Sequence, residues 1–231
     1  MFDLKTVSKP APAPPALEAL EALEALEVEQ LTRLTTPGDF GQPCDDSRSL
    51  KYLGVTGKSD VQRTPPGNAL ESIIGIDERT RILDTDLAPW RMICALRMRS
   101  PAGGIAIGTG WLISPKTVLT AGHCVFSSHF FGGWADSIEV SPGRNGADFP
   151  YGTIVSGRFS TVDRWKDKED QDFDIGCIHL DEPIGLKTGW FALGALTPSE
   201  LVNYQVNVSG YPADRGAGAE QYHHRNRVLQ V

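Results

Sequence analysis

A histidine at the end of an apolar run, followed 51 residues later by an aspartate at the start of another, is the pair in this sequence best suited to acid–base chemistry. The histidine is His123, in Thr120-Ala121-Gly122-His123-Cys124, preceded by Gly110-Trp111-Leu112-Ile113-Ser114-Pro115-Lys116-Thr117-Val118-Leu119. Small residues at the end of a strand let a turn present an imidazole to a cleft. The aspartate is Asp174, in Asp172-Phe173-Asp174-Ile175-Gly176-Cys177-Ile178-His179-Leu180. A carboxylate there can accept the Nδ1–H of a histidine and fix its tautomer, which leaves Nε2 to work as a base. Asp172 lies two residues earlier on the loop side, so Asp174 is the expected partner.

Short β-type runs must carry the pair. They cover residues 91–98, 104–113, 117–121, 137–140, 152–159 and 174–180, with Gly and Pro between them. Such spacing suits an antiparallel barrel. A seventh run covers 204–210, and residues 161–173 read as a charged surface loop.

With His before Asp in the chain, the sequence resembles the trypsin-like serine proteases, and more closely their glutamyl-endopeptidase or staphylococcal V8-type branch. Further matching stretches are Gly108-Thr109-Gly110-Trp111, Ser141-Pro142-Gly143-Arg144-Asn145-Gly146, Pro150-Tyr151-Gly152, Glu182-Pro183-Ile184-Gly185 and Ser209-Gly210-Tyr211-Pro212. The resemblance covers about residues 72–231. It implies an all-β, chymotrypsin-like double antiparallel β-barrel, with a first barrel over 71–195 and the start of a second over 196–231. It also implies a serine endopeptidase acting on protein or peptide substrates, with a preference for Glu left open, in which His123 is the base and Asp174 its orienter.

The family's nucleophile stands in a Gly-x-Ser-Gly sequence roughly 90 residues beyond the aspartate. Only 57 residues follow Asp174, and none spells it. Ser199 reads as a turn or helix cap, and Ser209 matches an early strand of the second barrel. Residues 220–231 still run parallel to the family, so the sequence is expected to be cut off before its nucleophile and to be inactive by itself. The alternative is a non-catalytic binding or scaffold protein that keeps the first barrel. The resemblance also implies that Cys124 has lost its usual cysteine partner, since Gly108 stands at that position; Cys94 or Cys177 could substitute, but a buried free thiol is expected.

Residues 1–70 are of another kind. Pro10 to Pro15 favour extended polyproline geometry. Ala-Leu-Glu then occurs four times from Ala16 to Glu27 and predicts a helix. A three-residue period slips by about 60° per repeat, so the leucines spread around it. The polar stretch from about Leu31 to Asn68 reads as a linker or pro-segment, and residues 1–70 are expected to be largely mobile. Glu71 to Arg81 resembles the start of the mature enzymes in the V8-type branch. A cut near 71–73 would free an α-amino group of the kind that Glu-preferring members use near the acidic side chain; an uncut first strand is the plainer reading.

Composition narrows the partners. The net charge is −7, from 22 Lys and Arg against 29 Asp and Glu, and neither part of the chain has the basic excess that phosphate binding requires, so nucleic acid is not expected. No apolar run approaches the ~20 residues of a membrane span, and the opening lacks the hydrophobic core of a secretory signal, although the resemblance implies export. His123-Cys124, Cys177-x-His179 and His223-His224 offer metal-ligand types. None has the paired spacing of a zinc site, and no metal or cofactor is expected. His179 is read as an alternating strand residue, and His223-His224 as a solvated stretch.

Overall fold

The alternating runs become antiparallel ladders in a computed structural model that describes residues 6–9, 77–194 and 196–229. The polyproline stretch, the Ala-Leu-Glu repeat and the linker to residue 76 lie outside the described residues. The described residues form thirteen strands: β1 (Thr6–Ser8), β2 (Thr80–Arg81), β3 (Ile93–Arg99), β4 (Ile105–Leu112), β5 (Thr117–Thr120), β6 (Phe126–Ser127), β7 (Gly133–Trp134), β8 (Ser137–Pro142), β9 (Ile154–Ser156), β10 (Phe159–Val162), β11 (Gly176–His179), β12 (Gln205–Gly210) and β13 (Tyr222–Arg227). The α-helices among the described residues are short: α1 (Asp163–Lys168), α2 (Gly185–Thr188) and α3 (Pro198–Leu201).

Eight strands form one sheet in the order β1-β10-β11-β5-β4-β3-β8-β9, whose ends are not joined by a ladder. The expected run over 152–159 divides at Gly157-Arg158 into β9 and β10, which sit at different places in that order. Inward-facing Leu96, Met98, Leu112, Val118, Ile138, Val140, Phe159 and Ile178 fill the interior, and each is almost fully buried. Period-two alternation puts these residues on one face, so burying that face sets the strand register.

A second sheet, β12-β13-β2, packs on the outside of the first. Ile82, Trp90, Ile93, Ala95 and Tyr211 form its separate apolar cluster. Tyr211 joins the two sheets by polar bonds as well: its backbone N–H donates to Thr109 Oγ1 at 2.8 Å and its hydroxyl donates to the Arg144 carbonyl at 3.0 Å. Residues 80–81, placed by sequence at the opening of the first barrel, pair with β13 instead. An ion network fixes them there, because Arg79 bridges Asp77 at 3.0 Å and Asp214 at 2.5 Å while Arg215 reaches Asp77 at 2.6 Å.

Three expectations need correction. Residues 161–173 are not simply a charged loop, since 161–162 finish β10, 163–168 form α1, and Trp165 is buried. His223 is not solvated: it is 5% exposed and its ring lies 5.2 Å from that of Trp90. Residues 6–9, expected to be mobile, pair with β10. Among the described residues no helix is long and apolar enough to cross a membrane.

Candidate active site

The register of two strands brings the site together. β5 and β11 run antiparallel with Thr120 opposite Gly176, so the chain leaving β5 and the chain entering β11 meet at one end of the ladder. His123 lies three residues past Thr120 and Asp174 two before Gly176. Thr120 is buried and its hydroxyl donates to the Thr109 carbonyl at 2.8 Å, which holds the strand end to β4.

The His123 turn is a single 3-10 turn, Gly122–Cys124, closed by Cys124 N–H donating to Ala121 O at 3.1 Å and Val125 N–H to Gly122 O at 3.0 Å. Two glycines allow it to sit so close. A Cβ on Gly176 would lie 2.7 Å from Val125 Cγ2, and one on Gly122 would lie 2.6 Å from Trp165 Cδ1. The indole occupies the space that a side chain at 122 would need. Its N–H donates to the Phe126 carbonyl at 2.9 Å, and its ring meets that of His123 edge-on at 6.4 Å.

Asp174 accepts two hydrogen bonds from one residue. The His123 backbone N–H donates to Oδ1 at 2.8 Å, and Nδ1 lies 2.8 Å from Oδ2. An ionised carboxylate only accepts, so the Nδ1 contact fixes the ring as an Nδ1–H donor. Cys124 beside the ring, followed by the Asp174 carboxylate, raises His123 from its ordinary 6.5 to about 9, against the opposing effect of partial burial. The imidazole remains 56% exposed, open to a reacting group from outside.

The loop before Asp174 is tied down. Glu169 ends α1 at φ 47°, and its carboxylate accepts from Ser128 N–H at 2.8 Å. Arg164 pairs with Asp170 and lies over the Phe173 ring at 3.9 Å. Asp172 sits in the short turn Gln171–Phe173, where its N–H donates to Asp170 Oδ1; the carboxylate that meets His123 belongs to Asp174.

The other residues singled out lie elsewhere. Ser199 is in α3, its hydroxyl 3.1 Å from that of Thr197, and Ser209 Oγ donates to the Tyr222 carbonyl at 2.8 Å. His179 alternates outward on β11, with Nε2 2.8 Å from Ser160 Oγ. Cys94, Cys124 and Cys177 are free thiols, and burial pushes Cys94 up. Trp165, Gly122 and Glu169 are the site's unforeseen supports. Only Gly122 carried a local signal, as the small residue before the histidine.

The trypsin family model matches residues 84–231. The chain belongs to the trypsin family. Within that family it falls in the V8-like, glutamyl-endopeptidase branch of chymotrypsin-fold serine proteases. It is 39% identical over 169 residues to the glutamyl endopeptidase of Bacillus licheniformis, covering 72% of this chain and 51% of the relative. It is also 39% identical over 174 residues to a Bacillus subtilis protein named extracellular metalloprotease, covering 74% and 53%. The chain thus spans about half the length of the curated relatives it matches. Among solved structures, a Glu endopeptidase in complex with MPD matches with a TM-score of 0.62 at 28% identity, over 69% of this chain and 72% of that one. The protease Anisep of Arthrobacter nicotinovorans shares the fold, with a TM-score of 0.52 at 16% identity over 59% and 64% of the two chains. Among the described residues no three His, Cys, Asp or Glu side chains gather as a metal-binding group.

Proposed function

We propose that these residues form the base-and-orienter half of a serine endopeptidase site, with His123 as general base and Asp174 as its positioning residue. The observation that supports this most is the double clamp of Asp174 on the Nδ1 and backbone N–H of His123, both at 2.8 Å. With the ring held as the Nδ1–H tautomer, Nε2 can take the proton of a serine hydroxyl as it attacks a peptide carbonyl, then return it to the leaving amine. Asp174 stabilises the imidazolium that forms.

The serine and the backbone donors that surround it belong to a Gly-x-Ser-Gly segment that residues 1–231 do not contain. On this reading residues 1–231 alone do not hydrolyse peptides. A preference for Glu before the scissile bond is a part of the proposal supported by the likeness to the Bacillus licheniformis glutamyl endopeptidase. The proposal also divides the chain into a leading segment over 1–70, which lends β1 to the first barrel, a first barrel over 71–195, whose β2 joins the second sheet, and the start of a second over 196–231.

The test joins residues 1–231 to a downstream Gly-x-Ser-Gly segment of the branch and measures cleavage of peptides with Glu or other residues before the bond. Cleavage by the extended form, its loss in His123→Ala, and labelling by a serine-directed covalent inhibitor at the added serine alone are expected. Labelling of residues 1–231 at Ser199 or Ser209, or His123-dependent cleavage by them, would overturn the assignment.

A further inference from the structure

The first barrel contains a strand from far away in the chain. β1 pairs antiparallel with β10, with Thr6 opposite Val162, Val7 opposite Thr161 and Ser8 opposite Ser160. The ladder continues one residue further, where Lys9 N–H donates to the Phe159 carbonyl at 2.8 Å. All four residues of β10 are buried, whereas Thr6 and Ser8 are exposed and Val7 and Lys9 half-buried. β1 is therefore a thin outer cover on an interior strand.

It also lies where the sheet fails to close. β9 and β10 are adjacent in sequence but form no ladder with each other, and β1 and β9 are the two ends of the sheet. Lys9 crosses toward the opposite side: its ammonium donates to the carbonyls of Ala135 and Asp136, each at 3.1 Å, immediately before β8, and lies 5.0 Å from the centre of the Phe159 ring. One tetrapeptide thus occupies the β10 edge and reaches the chain that enters β8.

The alternation of antiparallel bonds identifies which groups depend on it. Because Lys9 and Phe159 form a hydrogen-bonded pair, Val7 and Thr161 form the next, so the N–H and C=O groups of Phe159 and Thr161 point to β1 while those of Ser160 point to β11. A row of unpaired edge groups is a template for another extended chain. Four residues make too few bonds to hold at micromolar concentration as a free peptide. A covalent connection raises their effective concentration to the order of a millimolar.

We propose that Thr6–Lys9 is an intramolecular sealing strand of the first barrel, held by its covalent connection through residues 10–76, and that a cut within those residues releases it and uncovers the β10 edge. Processing at any point in the connection then changes the barrel as well as the length of the chain. The inference stands independently of peptidase activity and is tested without it.

A recognition sequence for a site-specific protease is placed within residues 50–60, and amide hydrogen exchange is followed residue by residue before and after cutting. Before the cut, the Thr161 amide is expected to be protected. After the cut, at about 10 μM protein, its exchange should quicken by up to about 100-fold, the ratio of a millimolar effective concentration to the free one. The amides of Ser160 and Cys177, in the β10–β11 ladder, should not change. A peptide of residues 1–9 at several millimolar should restore protection, and Val7→Pro in the uncut chain, which removes a ladder N–H, should reproduce the opened state. Ser160 and Cys177 show whether that variant still folds, and Lys9→Ala offers a second route that leaves the strand backbone intact. Thr161 unprotected before the cut, still protected after the fragment has been removed, or co-elution of the cut fragment with the barrel at 10 μM would each overturn the proposal.

Discussion

Replacing Asp174 by Asn tests the site most directly, because it keeps the shape and changes only the hydrogen-bonding roles. Asp174 receives two donors, the His123 backbone N–H and Nδ1–H, both at 2.8 Å. Asparagine has one acceptor oxygen, so if it keeps the backbone N–H its amide N–H faces Nδ1 and favours the tautomer that carries its proton on Nε2. The base would then hold its proton on the wrong nitrogen. His123 stands at about 9 against an ordinary 6.5, with Cys124 the first cause of the rise and Asp174 the next; loss of the carboxylate should lower it, because an opposite charge in contact favours the charged ring. Taken whole, the shift corresponds to about 3 kcal/mol. The imidazole is 56% exposed, and solvent screening reduces the ion pair to about 1 kcal/mol. Since the folded value lies above the unfolded one, this stabilisation is complete below 6.5, declines as pH rises, and is gone above about 9. Titration of the His123 ring protons by NMR, with urea unfolding of both proteins at pH 6 and pH 10, measures both effects. In a form carrying the nucleophile, turnover should fall by about 10⁴-fold, as for the equivalent change in trypsin-like enzymes. An unmoved His123 titration, or a stability difference equal at the two pH values, would refute the reasoning.

Gly122→Ala should destabilise by ~1–3 kcal/mol in urea unfolding, because its Cβ would lie 2.6 Å from the Trp165 ring; adding Trp165→Leu should recover part of that loss, since the clash is with the indole. Arg79→Gln should cost ~1–2 kcal/mol at pH 7 by leaving Asp77 and Asp214 without their shared cation. The Arg79 guanidinium holds both carboxyls below their usual range, so that contribution is present above about pH 4 and disappears as pH falls through the lowered values, which acid unfolding of the two proteins would show. Ile178→Ala should cost ~2–5 kcal/mol, as Ile178 is fully buried in the first-barrel core.

What could be read from the sequence was set at strand ends. His123 and Asp174 are legible because each ends or begins an apolar run, and pairing those runs antiparallel with Thr120 opposite Gly176 brings their ends together. The break at Gly157-Arg158 was not legible, since the apolar pattern continues from β9 into β10 while the chain changes its place in the sheet. Trp165 was hidden among Asp163, Arg164, Lys166, Asp167 and Lys168, whose charges describe the outer face of a one-and-a-half-turn helix and not the residue it buries. Its role depends on what Gly122 lacks, 43 positions away, and a missing Cβ gives no periodic signal. His223 was lost in the same way, because an exposed-looking run of His and Arg on β13 becomes buried only where Trp90 covers it. β1 shows the limit most clearly. Thr-Val-Ser is too short to alternate, and only the edge it covers, with Lys9 reaching Ala135 and Asp136, makes a strand of it. The pair proposed for chemistry thus follows from local patterns, whereas the parts that hold it in place and cover the edge of its sheet follow from which edges and gaps the rest of the chain leaves open.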